Sequence, residues 1–197
     1  MSTLLVCTVE YKKYAIRYIG IENKLKQSSI VYTIIRPTLI YGNIKDGNLK
    51  KLIKLVNILP IFPVIGKGHG LLHPIYARDL AKSIALAFKN EEKTRMKEYN
   101  VAGKAPVRYI DLLKIMAREL NKKPIFVHIP MFLAKLAGRI GDMIPNGLIG
   151  YEKVLRIEED KNFDYSAATR DFGFDPISIE EGIKLEVQAL RESKFIN

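Results

Sequence analysis

Tyr14 is the first residue whose type and spacing bear on chemistry. It sits four residues before Tyr18, in Tyr14-Ala15-Ile16-Arg17-Tyr18. A phenol accepts a proton only as phenolate, and an ordinary tyrosine ionises near pH 10. A cation one helical turn away would stabilise the phenolate and bring that value towards neutrality. Position 18, on the same helix face, holds a tyrosine and has no charge to offer. Arg17 lies about 100° around the helix, and Lys12 and Lys13 are worse placed. Unassisted, Tyr14 is expected to be a poor base at neutral pH. The alternative is that its ring packs in a core with Tyr11 and Tyr18. Thr8 offers either a hydroxyl at the carboxyl end of a strand or an ordinary β-forming residue. Pro37 and Thr38 follow the apolar run 30–35, where open α/β sheets bind ligands, or else Arg36-Pro37 merely ends the strand. His73 and Arg78 are candidates to face a ligand, with a loop histidine and a solvated arginine as the plainer reading. Asp79 reads as the cap of the helix after it. His69 and His73 lie four apart, but no cysteine, aspartate or third histidine completes a metal set. His128, in an apolar strand, reads as a hydrogen-bonded core histidine.

The elements that must position these groups follow from periodicity. Residues 3–9 read as a buried strand, 10–28 as an amphipathic helix and 30–35 as a second buried strand, a βαβ unit. After a turn-rich stretch at 43–48 comes a lysine-laced helix over 49–59, which Pro60 and Pro63 are expected to stop. Gly66, Gly68 and Gly70 flank Lys67 and His69 in a loop. A helix follows Asp79 to about Phe88, and 99–103 is a short strand ending in glycine. The remainder reads α+β: helix 107–120, strand 124–129, helix 130–144, possible helix at 151–157, and a last helix to about 193. Ser178 and Glu181 form a capping box at the start of that last helix.

Composition narrows the classes. The chain has 197 residues, 48% of them apolar, and a net charge of +11, with mean hydropathy −0.01. That suits a folded protein of one domain, or one domain plus a lobe. No run of 18 apolar residues occurs, so no membrane span is expected, and the N-terminus does not read as a signal peptide. Cys7 is the sole cysteine, which excludes an intramolecular disulfide and points to a cytoplasmic setting. The lysines are spread over every helix without a run of five, so nucleic-acid binding rests on net charge alone. A positive field does suit a phosphorylated small molecule.

In order along the chain, four blocks carry a resemblance: the helix with Tyr14 and Glu22; Tyr32 to Gly42, with Arg36-Pro37-Thr38 and Tyr41-Gly42; His73-Pro74-Ile75-Tyr76-Ala77-Arg78-Asp79-Leu80-Ala81; and Tyr99-Asn100-Val101-Ala102-Gly103. Together they resemble the C-terminal portion of an extended short-chain dehydrogenase/reductase of the NAD-dependent epimerase/dehydratase family. The resemblance implies an α/β fold: the C-terminal part of a Rossmann-like doubly wound parallel sheet, plus a small α+β substrate lobe. Residues 1–42 and 71–103 would belong to the former, 43–70 and 104–197 to the latter. It implies NAD or NADP as cofactor and a nucleotide sugar or similar small molecule as substrate. It places Tyr14 and Thr8 in catalytic positions, Pro37 and Thr38 beside the cofactor, and Arg36, Tyr41, His73 and Arg78 beside the substrate. Two departures stand out. No G-x-G-x-x-G turn opens the chain, and Gly66 to Gly70 does not open a helix directly after a strand. The family's Tyr-x-x-x-Lys has Tyr18 in the lysine slot. The expectation is therefore a truncated enzyme, weakly active or inactive alone, which pairs with a second copy or with a complementary N-terminal chain. The alternative is a non-catalytic binding or assembly subunit of the same fold.

Overall fold

The computed structural model describes residues 12–42, 49–142 and 159–196, giving the backbone alone for 12–18 and 140–142. In chain order the elements are α1 (Lys12–Lys26), β1 (Thr33–Pro37), β2 (Ile40–Tyr41), α2 (Leu49–Ile58), β3 (Ile61–Ile65), β4 (Leu71–Leu72), β5 (Ile75–Tyr76), α3 (Ala77–Lys89), α4 (Glu91–Thr94), β6 (Lys97–Val101), β7 (Val107–Arg108), α5 (Tyr109–Glu119), β8 (Ile125–Ile129), α6 (Met131–Asp142), α7 (Ser166–Phe172) and α8 (Ile179–Glu192). The fold is α/β with parallel strand pairs, as expected. Two compact units divide the chain: 1–43, 73–105 and 163–182 form one, and 44–72, 106–162 and 183–197 the other. Segment 163–182, grouped with 104–197 from sequence, packs in the first unit because α7 and Phe174 join that unit's core.

In the first unit β1 runs parallel to β6, from Thr33 opposite Lys97 to Pro37 opposite Val101. The two-residue strands β2 and β5 also pair in parallel. Ile35, Ile75, Leu80, Tyr99, Val101, Ala168, Phe172 and Phe174 make the core. Tyr99 meets Phe172 edge-on at 5.1 Å, a favoured aromatic geometry. Helix α7 did not stand out in the sequence, being seven residues long, yet its stop is written there. Gly173 takes a left-handed conformation (φ 70°), its N–H donates to Thr169 O, and Phe174 N–H donates to Ala168 O. A hydrophobic residue after such a glycine closes the turn by packing back onto the helix.

In the second unit the helix α2 stops before Pro60, as expected, and a strand not read from sequence follows, β3, which pairs in parallel with β8. The bonds Ile125 N–H to Pro60 O and Gly66 N–H to Ile129 O bracket the ladder. They put the even residues of β3 on the β8 side, so Pro63 faces the outer edge, where no amide is needed. Leu49, Ile53 and Val56, spaced four and three apart, are the buried face of α2, which packs on α5. Helix α5 begins at Tyr109, two residues later than its apolar pattern suggested, because Val107 and Arg108 pair antiparallel with β4. His128 is exposed on β8 rather than in a core. The expected strand 3–9 and helix 151–157 lie outside the described residues. Among the described residues no helix is long and apolar enough to cross a membrane.

Candidate functional site

The carboxyl ends of β1 and β6 are where the sequence pointed, and there the chain is packed closely. Thr38 N–H donates to Val101 O at 3.1 Å, carrying the β1–β6 ladder one residue past Pro37, and Ile75 N–H donates to Leu39 O at 2.9 Å. Segments 37–42, 73–76 and 101–103 therefore converge. A Cβ on Gly103 would lie 2.2 Å from the Pro74 carbonyl oxygen, so only glycine permits this approach. The Thr38 side-chain oxygen is buried and has no hydrogen-bond partner among the described residues. Buried hydroxyls are normally paired.

His73 is 3% exposed. Its Nε2 donates to Gly103 O at 2.8 Å, and its Nδ1 accepts from Phe163 N–H at 3.2 Å. Burial holds the imidazole below its ordinary pKa. A proton on Nδ1 would also meet the Phe163 N–H head-on. The ring is thus a neutral bracket between three segments, and both its nitrogens are engaged within the protein. Tyr41 is 1% exposed. Its ring lies 5.5 Å from that of Tyr76, and its hydroxyl fills the space a Cβ on Gly182 would need.

Arg36 was read beside the substrate, and the structure gives it partners inside the protein. Its guanidinium donates to Glu22 of α1, Nε to Oε1 at 3.0 Å, and pairs with Glu98 of β6. Lys26 pairs with Glu98 in turn. The hydrogen bond that Arg36 donates to Glu22, with that carboxylate's charge, pushes the Arg36 pKa further up, against burial. Lys26 chiefly, and Arg36, hold Glu98 below the usual carboxylate range. This cluster fastens the helix that carries Tyr14 to β1. A lone arginine within an apolar strand was the available signal, because a half-buried charge needs a counter-ion. Arg78 is exposed in the first turn of α3. Asp79 is not the cap expected: Tyr76 holds that position without a side-chain bond, and the Asp79 carboxylate accepts from Ile177 N–H at 3.0 Å. Thr8 and the Tyr14 side chain lie outside what the structure describes.

The second unit contains a pocket of about 650 Å³ that sequence reasoning missed, between the 66–70 loop, His128 to Met131, and Asp160. Gly66 and Gly68 take left-handed φ values of 63° and 65°. His128 Nδ1 donates to Gly66 O at 3.0 Å, and Asp160 accepts from Leu71 N–H at 3.0 Å. Lys67 and Asp160 bring one charge of each sign to its lining.

Comparison with known proteins fits this arrangement. The chain is 30% identical over 112 residues to N-acetyl-alpha-D-glucosaminyl-diphospho-ditrans,octacis-undecaprenol 4-epimerase of Escherichia coli O157:H7, which covers 57% of this chain and 33% of that protein. It is 28% identical over 114 residues to NADH dehydrogenase (ubiquinone) 1 alpha subcomplex subunit 9, mitochondrial, of Arabidopsis thaliana, covering 58% of this chain and 28% of that protein. The fold superposes on UDP-glucuronic acid 4-epimerase from Bacillus cereus, solved with UDP-glucuronic acid and NAD. The TM-score is 0.67 at 16% identity, over 91% of this chain and 52% of that one. The matched part thus spans about a third or less of the curated relatives and about half of the solved epimerase. The model of the 3-beta hydroxysteroid dehydrogenase/isomerase family matches residues 5–128, more than half of the sequence, and the chain belongs to that family.

Proposed function

We propose that the chain is part of an NAD(P)-linked oxidoreductase of the epimerase/dehydratase type, with a nucleotide sugar as its substrate class. The observation that carries this reading is the orphan Thr38 hydroxyl, because a buried unpaired hydroxyl costs about 1–3 kcal/mol unless a ligand supplies the missing bond. A dinucleotide, with its amide and ribose groups, would be held by Thr38 and Pro37, and Gly103 keeps a Cβ out of the same corner. Bound NAD(P) supplies the hydride acceptor and donor. The chain's own contribution is positioning. The Glu22–Arg36 pair anchors the helix of Tyr14, His73 ties the 73, 103 and 163 segments together, and Tyr41 fixes the turn before Gly42. Tyr14 is the group for the substrate proton and Thr8 a hydroxyl for the substrate oxygen. With Tyr18 in place of a cation, that proton transfer is slow at neutral pH. Arg78, exposed on the first turn of α3, is the group for an anionic substrate. Pairing with a second copy, or with a chain carrying a Gly-rich βαβ segment, belongs to the same reading.

Titration of the chain with NADH and NADPH tests it through Thr38→Val, which keeps the shape and deletes the hydroxyl. The expected result is affinity weaker by roughly tenfold, the worth of one such hydrogen bond, with unfolding stability equal to or above that of wild type. Equal affinity of the two proteins, or no binding by the wild type, refutes the proposal. A second reading, a non-catalytic subunit, draws on Tyr18 and on the likeness to the Arabidopsis NADH dehydrogenase subunit. Cofactor binding without turnover of any nucleotide sugar favours it.

A further inference from the structure

Among the described residues the sheet of the second unit has two strands, β3 and β8. Ile125 N–H donates to Pro60 O and Gly66 N–H to Ile129 O, so the odd residues of β8 direct their backbone groups to β3. The N–H and C=O of Phe126 and His128 therefore point away from it, and none of these four groups has a partner among the described residues. The two outer edges differ. That of β3 carries Pro63, which blocks the addition of a strand. That of β8 has no proline, lysine, acid or bulge from Ile125 to Ile129. One face is bare as well. Residues in register point to the same side, so Ile61 and Pro63 share it with Ile125 and Val127. Ile61, Ile125 and Val127 are 56%, 64% and 47% exposed.

The segment Pro124-Ile125-Phe126-Val127-His128-Ile129-Pro130 is nearly symmetric about Val127. An antiparallel copy centred there sets Phe126 opposite His128 of that copy. The two exchange both backbone bonds, and all four outward groups on each strand are satisfied. A shift of two residues either way sets Pro124 or Pro130 opposite one of them, and a carbonyl is left without an N–H. The antiparallel sense also puts Lys122 and Lys123 of the two copies at opposite ends, each near the end where Lys67 and Asp160 bring one charge of either sign.

We infer that two copies of this chain pair through β8, antiparallel about Val127, and join their sheets into one of four strands. The match of this segment to itself selects a second copy over an unrelated strand. The contact is isologous, so it closes as a dimer. On the bare face it sets Val127 against its own copy and Ile125 against Ile129. It gives a surface to the pairing with a second copy proposed above and does not depend on cofactor binding, so the Thr38→Val titration and this interface can fail separately.

Sedimentation of the whole chain should give a dimer. Residues 127 of the two strands form a non-hydrogen-bonded pair, whose Cα atoms lie about 4.5 Å apart, within the disulfide range of about 4.4–6.8 Å. Val127→Cys with Cys7→Ser should therefore cross-link on mild oxidation. His128→Cys in the same background should not, because its counterpart is two residues along the partner strand and a disulfide spans no more than about 7 Å. Val127→Lys and Val127→Glu each set like charges face to face and should sediment as monomers with an unchanged melting temperature, since the side chain is exposed. Mixed together, the two should pair again. A monomeric wild type overturns the inference. So does a dimer that Val127→Lys leaves intact, a mixture that fails to pair, or cross-linking at 128 in place of 127.

Discussion

Replacing Glu22 by glutamine tests how the helix of Tyr14 is held. In the ion pair the Arg36 side chain is 17% exposed and that of Glu22 7%. Removing one partner of a buried pair costs about 3–5 kcal/mol, because the other charge is left in a poor solvent. Two features reduce that here. Glu98 remains on the guanidinium, although it is more exposed and shared with Lys26, and the glutamine carbonyl still accepts one hydrogen bond. About 2 kcal/mol is the expected loss, which for a chain of this size lowers the melting temperature by roughly 4–8 °C. Urea unfolding followed by circular dichroism measures it. The loss should persist in salt, since partly buried pairs are poorly screened. Glu22→Leu combined with Arg36→Met should recover most of it, because replacing both charges by apolar groups removes the desolvation cost. A loss of no more than about 0.5 kcal/mol for Glu22→Gln, the worth of an exposed pair, would refute the claim that this cluster anchors α1.

Two further outcomes follow from the same corner of the molecule. Gly103→Ala should destabilise the chain by at least about 3 kcal/mol in urea, because its methyl meets backbone at 2.2 Å and backbone cannot rotate away; a variant as stable as wild type would show that the 73–76 segment is loosely held. His73, with a pKa below its ordinary value, favours folding fully above about pH 6.5, and this contribution falls as the pH drops from there towards the folded value, because the unfolded chain takes the proton first. Unfolding free energies between pH 7.5 and pH 5 should therefore decline with acid in wild type and decline less in His73→Gln; parallel slopes would show that His73 takes up its proton equally in both states.

Much of this molecule was legible without coordinates where a residue's local surroundings decide its state. Helices α2, α5 and α8 follow apolar spacing. The Ser178 hydroxyl caps α8 at Glu181 N–H as its motif requires. Strand β1 follows from the apolar run at 30–35, whereas its parallel pairing with β6, a largely polar strand, came only with the structure. The carboxyl end of β1 at Pro37 was also readable, because proline closes the apolar run. Partners distant in sequence were not. Arg36 reads as a ligand-binding cation until Glu22 and Glu98 are found beside it, and His73 as a loop histidine until Gly103 and Phe163 close on its two nitrogens. Pro63 reads as a breaker until the strand edge it faces is known. Sequence determined the longer helices, through their apolar spacing, and where β1 ends. Only the tertiary structure decided which polar groups are satisfied and which, like the Thr38 hydroxyl, have no partner among the described residues, because a hydrogen-bond partner is a matter of distance in space and periodicity reports only neighbours along the chain.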